Sequence, residues 1–221
     1  MSKLRPTKRT RIRRAPARAV FDREILNQIV DEALMCHLGF TDNEQTYVIP
    51  TLCWRIDDRL YVHGSTGSRM LNILKSGASV CITITLLDGL VMARSAFHHS
   101  ANYRSAMILG SMQHVESEAD RLIALEYFMD HIAPDRWAEA RAPNDKELKA
   151  TDLFWIALDE VSVKVRTGDP ADDESDMDLP IWAGVIPITP QFGPTVTAKD
   201  MQSDVAAPDY SNVFGQRWVE E

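Results

Sequence analysis

The feature that most constrains this chain is a succession of β-prone runs joined by short polar turns through its middle. Thr46 to Ile56 is rich in Tyr, Val, Ile, Thr and Trp, side chains that fit a pleated, half-buried surface. Asp57-Asp58-Arg59 reads as a polar turn and Leu60 to His63 resumes the strand, so the two runs predict a hairpin. Ala78 to Leu87 is another such run, Asp88-Gly89 reads as the turn that ends it, and Leu90 to Ser95 as the strand that follows. Tyr103 to Val115 and Asp152 to Arg166 read as further long strands, and Met35 to Phe40 is a short apolar run. About six hairpin-linked strands without regular βαβ alternation predict a mainly β fold with flanking helices, a closed and mostly antiparallel barrel rather than a parallel sheet.

Helical spacing appears between these runs. Asp22 is placed to cap a helix over 22–34, with Ile25, Leu26, Ile29, Val30 and Leu34 at the right period. A short helix is expected after Ser68, with Met70, Leu71 and Leu74 on one face and Gly77 as its stop. Residues 117–132 predict an amphipathic helix whose apolar side carries Leu122, Leu125, Phe128, Met129 and Ile132. Shorter helical patches surround Trp137 and Lys146 to Ala150.

Charge divides the chain. Its net charge is -8 over 221 residues, yet the first 20 residues hold eight basic side chains and no acidic ones; removing that +8 from -8 leaves -16 for the rest. Such an arm either binds nucleic acid or lies on the acidic body or a partner subunit. It has no aromatic residue and no recognition motif follows it, which favours the second reading. The organisation expected is therefore a basic arm over 1–20, one domain over 21–190 including an acidic linker at 169–178, and a polar tail over 191–221. No apolar run follows the basic stretch, and no apolar segment is long enough to span a bilayer. Cys36, Cys53 and Cys81 show no CxxC spacing. A cytoplasmic protein with buried free thiols, no nucleic-acid partner and no membrane partner is expected.

Two segments could carry chemistry. In Tyr61-Val62-His63-Gly64-Ser65-Thr66-Gly67-Ser68-Arg69-Met70 a strand runs through a Gly/Ser/Thr loop into a helix start. Glycine lets backbone approach an anion, and free N–H groups, hydroxyls and a forked guanidinium suit a phosphate. The alternative is an ordinary strand–helix turn with a surface Arg, since the loop is neither a Walker A loop nor GxGxxG. The second segment runs from Arg94 to Ser105 and packs two Arg, two His and three Ser into 12 residues. It reads as a ligand-facing patch or as a solvated loop; a zinc site is disfavoured, because adjacent His98 and His99 point apart and no acidic or Cys ligand is near. No GxSxG, HExxH or CxxC motif occurs, so any difficult chemistry would belong to a cofactor.

At these segments the sequence resembles the pyridoxamine 5'-phosphate oxidase-related, FMN-binding split-barrel family, in the branch with nitroimidazole-resistance reductases. The pieces that carry the resemblance are Arg13-Arg14, Val48-Ile49-Pro50-Thr51, His63 to Ser68, Asp88-Gly89-Leu90-Val91, His98-His99-Ser100, Asn102 to Ser105, and Trp182 to Pro187, spread over about residues 10–190. The resemblance implies that FMN is held at a homodimer interface. Gly64, Ser65, Ser68 and Arg69 would form the phosphate corner, approached by Ser105 and Arg104 from a later strand. Val48, Ile49, Pro50 and Thr51 would flank the isoalloxazine ring, His63 would stand where the oxidase branch has an aromatic residue, and Trp182 would pack on the flavin from the second subunit. The chain also departs from the oxidase branch. It has no Arg-x-His motif, and Cys53 and Trp54 stand near the place of a ring-side lysine. Oxidation of pyridoxamine phosphate itself is therefore not expected.

The function expected is a flavin-dependent oxidoreductase, in which reduced FMN serves a small acceptor such as a nitro compound or quinone, with NAD(P)H as a candidate reductant. A non-catalytic flavin-binding protein, for storage or sensing, is the alternative. His63 is the candidate general acid; its alternative role is a hydrogen bond to flavin or backbone.

Overall fold

A computed structural model describes residues 3–202 and 205–208, so most of the expected polar tail beyond 202 lies outside the described residues. In chain order its elements are β1 Ala19–Val20, α1 Arg23–Glu32, β2 Met35–Asp42, β3 Gln45–Ile56, β4 Arg59–Ser65, α2 Arg69–Lys75, β5 Ser79–Met92, β6 Ser100–Ser111, β7 Gln113–His114, α3 Glu118–Ile132, α4 Arg136–Glu139, α5 Asp145–Ala150, β8 Thr151–Ala157, β9 Val161–Arg166 and β10 Gly184–Pro187.

Every pairing between these strands is antiparallel, and a 10-stranded sheet runs in the order β1-β9-β6-β5-β2-β3-β4-β8-β7, with β10 added on β5. The order does not return on itself, so the expected closed barrel is corrected to an open, split one. Its two halves are joined by chain rather than by a ladder. β3 serves both, pairing with β2 through Met35↔Leu52 and with β4 from Cys53↔Val62 onward. β6 and β7 are a single run interrupted at the buried Met112; β6 pairs with β5 and β9, whereas β7 pairs with β8.

Two strand expectations need correction. Asp152 to Arg166 is two strands rather than one: the chain turns at Asp159-Glu160, so that β8 joins β4 in one half and β9 joins β6 in the other. Leu158 is fully buried at that turn, which hid the break in an apolar pattern. Asp88-Gly89 is not a hairpin turn either. β5 continues through it, with a bulge between Leu87 and Gly89, and reverses only after Met92. A bulge needs the same small, polar residue types as a turn.

The core follows strand alternation. Cys36, Leu38 and Phe40 of β2, Leu60 and Val62 of β4, and Val80, Ile82 and Ile84 of β5 point inward. Helix α1 starts at Asp22, whose side chain accepts from the Glu24 N–H at 3.0 Å, and buries Leu26, Ile29 and Val30 against the sheet. Helix α2 packs Met70, Leu71 and Leu74 into the same core. Helix α3 covers the outer face of the other half, with Phe128 and Ala124 packed against Trp54, Tyr61 and Leu153. The three cysteines are free thiols, and a hydrogen bond with Cys36, together with burial, pushes the Cys53 thiol far above its ordinary range.

Candidate functional site

The alternation that fills the core also builds the opposite surface. Between the inward residues of β2 and β5 stand His37, Gly39 and Thr41, and Cys81, Thr83 and Thr85. Register sets them side by side: His37 opposite Thr83, Gly39 opposite Cys81 and Val48, Thr85 opposite Ser105, and Ser105 opposite Lys164. A Cβ on Gly39 would lie 3.2 Å from the Cys81 carbonyl oxygen, so the missing side chain leaves bare backbone where a flat molecule could rest.

Two hollows lie along this face and share Thr83. One, of about 410 Å³, is bounded by His37, Gly39, Val48 and Cys81. The other, of about 350 Å³, is bounded by Thr85, Ser105 and Lys164 and roofed by Arg11, Arg13 and Arg14. Together they form a trough that is floored by glycine backbone at one end and cationic at the other.

The roof is the basic arm, which lies on the body as the second sequence reading expected. The Leu4 N–H donates to the Phe21 carbonyl at 2.8 Å, Lys3 bridges Asp22, and Leu4 and Thr10 are buried. Arg9 pairs with Glu160 at 3.7 Å. Arg11, Arg13 and Arg14 are exposed and form no ion pair with any described residue.

The structure distributes the expected site residues unevenly. Val48, 63% exposed, and the exposed Pro50 share the trough face, whereas Ile49 and Thr51 alternate away from it, with Ile49 packed on the core. Ser105 is on the trough face. Arg104, its neighbour, points to the other side of β6 and is clamped by Asp88 at 2.9 Å and Glu32 at 2.5 Å. Those carboxylates raise its pKa, and they leave its donors committed.

The Ser68 hydroxyl caps α2 by accepting from the Leu71 N–H at 3.1 Å, and the Arg69 guanidinium lies 4.8 Å over the Tyr47 ring with Asp42 3.9 Å away. Ser65 accepts from the Gly67 N–H at 3.3 Å, and Gly64 faces Leu71. This corner sits at the β2–β3 turn. The strand register places it roughly 20 Å from Ser105 along the sheet, so the two do not meet within one protomer. Trp182 is 66% exposed, just before β10, and its ring folds back over Gly184. Of the His-rich loop, His98 Nε2 lies 3.3 Å from Asp173 and His99 Nδ1 lies 3.0 Å from the Ser95 carbonyl oxygen.

His63, on β4 beneath α3, lines neither hollow. On β4 it pairs with Leu153 of β8, next to Val62, whose partner Cys53 is the last of the β3–β4 ladder. Its ring packs between Phe128 at 4.6 Å and Trp54 at 5.7 Å. Burial lowers its pKa, so it is neutral at pH 7. Its Nδ1 and the neighbouring Trp54 Nε1 are buried with no hydrogen-bond partner in the protein. His37, Thr83, Thr85, Lys164 and the arm arginines were not among the expected site residues. Their signal was polar residues alternating with core residues on separate strands, and only the register aligns them.

The split barrel and its trough define a class, and residues 22–165 match the pyridoxamine 5'-phosphate oxidase family. This chain belongs to that family. Among solved structures it is similar to the flavocytochrome Anf3 from Azotobacter vinelandii, with 38% identity, a TM-score of 0.91 and coverage of 96% of this chain and 98% of that one. It is similar to the FAD and haem binding protein from Mycobacterium smegmatis, with 33% identity, a TM-score of 0.85 and coverage of 89% and 97%. A candidate 5-nitroimidazole antibiotic resistance protein from Bacteroides thetaiotaomicron is 25% identical, with a TM-score of 0.57 and coverage of 66% and 86%. No curated protein matches the chain significantly. Among the described residues no helix is long and apolar enough to cross a membrane, and no group of three or more His, Cys, Asp or Glu is placed to hold a metal ion.

Proposed function

We propose that this chain is a flavin-dependent oxidoreductase that passes electrons from a bound flavin nucleotide to a small acceptor of the nitro or quinone type, with NAD(P)H as reductant. The observation that carries the reading is the trough: an uncharged, glycine-floored end and a cationic, hydroxyl-lined end on one sheet face. A flavin nucleotide has a flat apolar ring at one end and phosphate at the other, and FMN is the smallest that satisfies both. The likeness to a flavocytochrome over almost the whole chain supports it.

Bound flavin would supply the redox chemistry. The residues of this chain would orient it. Val48 and the bare backbone at Gly39 would support the ring face, and Ser105, Thr85, Lys164 and the arm arginines would hold the phosphate by charge-assisted hydrogen bonds. His63, neutral at pH 7, would present an N–H toward the flavin; His63→Gln separates that role from a purely structural one, since it keeps a donor but cannot titrate. A second protomer would close the open side of the trough, in a homodimer working in the cytoplasm.

The test is an absorption spectrum of the purified protein. Flavin bands that bleach anaerobically with NADH or NADPH and return with a nitro or quinone acceptor are expected. Bands that resist every reductant and acceptor would leave the non-catalytic flavin-binding alternative. A colourless protein that takes up no flavin would sink both.

A second reading adds haem beside the flavin. One similar structure is described as an FAD and haem binding protein and another as a flavocytochrome. What favours it here is His63, a histidine set among aromatic rings with a buried Nδ1 that has no partner in the protein; histidine is the commonest protein ligand of haem iron. A Soret band that His63→Ala abolishes is the expected sign; haem uptake unchanged in that variant would exclude His63 as the ligand.

A further inference from the structure

The glycine-floored hollow has two side chains in its wall that the flavin reading leaves without a task. Of the residues that line it only His37 and Cys81 titrate; no carboxylate, lysine or arginine is among them. Alternation turns both toward the trough, since Cys36 and Leu38 on either side of His37 are fully buried, as is Ile82 beside Cys81. Register then brings them together. His37 pairs with Thr83 and Gly39 with Cys81, so His37 and Cys81 stand diagonally across the β2–β5 ladder, a spacing that long side chains on one face can bridge.

We propose that His37 is the proton donor to the acceptor, standing beside the ring end of the flavin, with Cys81 in the floor on which the ring lies. The proposal rests on the flavin reading above. A quinone becomes a hydroquinone by gaining two electrons and two protons, and a nitro group that becomes nitroso and water needs the same. Reduced flavin supplies a hydride, which carries both electrons and one proton. The second proton goes to the oxygen of the acceptor from the ring N–H of protonated His37, and His37 regains it from water.

Three observations support the assignment. His37 is exposed, and its imidazole forms no hydrogen bond or ion pair with any described residue, so it is free to exchange protons with water. Histidine is the side chain type that both takes up and releases a proton near neutral pH, whereas burial raises the pKa of the Cys81 thiol and makes it the poorer acid. His63, the other histidine of interest, lines neither hollow and is neutral at pH 7, so it can offer a hydrogen bond but holds no extra proton to give.

The test uses the full chain and has two arms. The first places the ring without reference to turnover. In protein stripped of flavin a disulfide reagent such as dithionitrobenzoate is expected to label Cys81 and not the fully buried Cys36 and Cys53, with Cys81→Ser as the blank. FMN, or FAD in parallel, at about 10 times its Kd is expected to slow that labelling roughly 10-fold, as mass action requires of a ligand that covers the thiol. The second arm compares reoxidation of the reduced, flavin-loaded protein by benzoquinone and by ferricyanide, which takes up electrons without protons. His37→Gln, at an exposed position, is expected to lower the benzoquinone-to-ferricyanide rate ratio roughly 100-fold, the scale of general acid help. It should also abolish the fall of that ratio as the pH rises.

If flavin binds and Cys81 labels as fast as before, the ring does not lie beside His37; the proposal is overturned and the flavin reading stands. If Cys81 is protected but the ratio and its pH profile are the same in His37→Gln, His37 is not the donor and the proposal is again overturned. A protein that takes up neither FMN nor FAD overturns both the proposal and the reading beneath it.

Discussion

Two side chains show how environment decides what a residue type can do. His63 is enclosed by Trp54 and Phe128, and burial lowers its pKa from 6.5. The unfolded chain therefore binds the proton more readily than the folded one, so its contribution to stability is complete above about pH 6.5 and is lost as the pH falls through the folded pKa. Urea denaturation should show the wild type losing more stability between pH 7 and pH 5 than His63→Phe; equal losses would mean the ring titrates normally in the fold. Arg104 is the converse case, a residue of phosphate-binding type held in a structural clamp by Asp88 and Glu32. Arg104→Ala should cost about 1–3 kcal/mol of stability, because two carboxylates lose their partner. Flavin affinity at a temperature well below unfolding should hardly change. If instead the affinity collapses while stability holds, Arg104 belongs to the cofactor site.

At the scale of elements, the bulge in β5 is the point on which the C-terminal piece depends. Strand β10 pairs with β5 from Gly184↔Met92 to Pro187↔Gly89, and the Ile188 N–H donates to the Asp88 carbonyl at 3.0 Å. A Cβ at Gly89 would meet Val185 at 3.0 Å and the Ile186 carbonyl oxygen at 3.1 Å, so only glycine lets the strand dock this closely. Gly89→Val should release β10 and leave the barrel folded. Amide exchange at Val185 and Ile186 should accelerate at least about 10-fold, equivalent to about 1.4 kcal/mol of local stability, against little change in the strands β2 and β6. Uniform acceleration throughout would show that β10 is integral to the barrel.

For the whole molecule, the outer surface near β10 carries several exposed apolar side chains. Leu90 and Ile186 face each other across the β5–β10 pair and are both exposed, with Trp182 and Leu87 close in the chain. Contiguous apolar surface of this kind marks an interaction site, and the open side of the trough needs a lid. Sedimentation of the wild type should show a dimer at micromolar concentration, and Ile186→Glu should weaken self-association by about 2 kcal/mol or more. A flavin-loaded wild-type monomer under those conditions would refute the interface.

Much of this was legible in the chain alone, because it rests on short-range rules. Runs of β-prone residues marked β2 to β6, Asp22 marked the start of α1, and 117–132 carried the period of α3. The resemblance at Val48–Thr51 and His63–Ser68 led to the family that residues 22–165 match. What the chain could not reveal depends on register and on which strands meet. Asp88-Gly89 has the composition of a turn and becomes a bulge because β10 returns to pair beside it. Arg104 and Ser105 are neighbours in sequence and stand on opposite faces of β6, one bound by Asp88 and Glu32, the other beside Lys164. The basic arm had two readings, and only the tertiary structure, by pairing Leu4 with Phe21 and Arg9 with Glu160, laid its arginines over Thr85 and Ser105. Local pattern is written residue by residue, whereas a site assembled from five strands and an arm exists only once hydrogen-bond register has brought distant residues to the same surface.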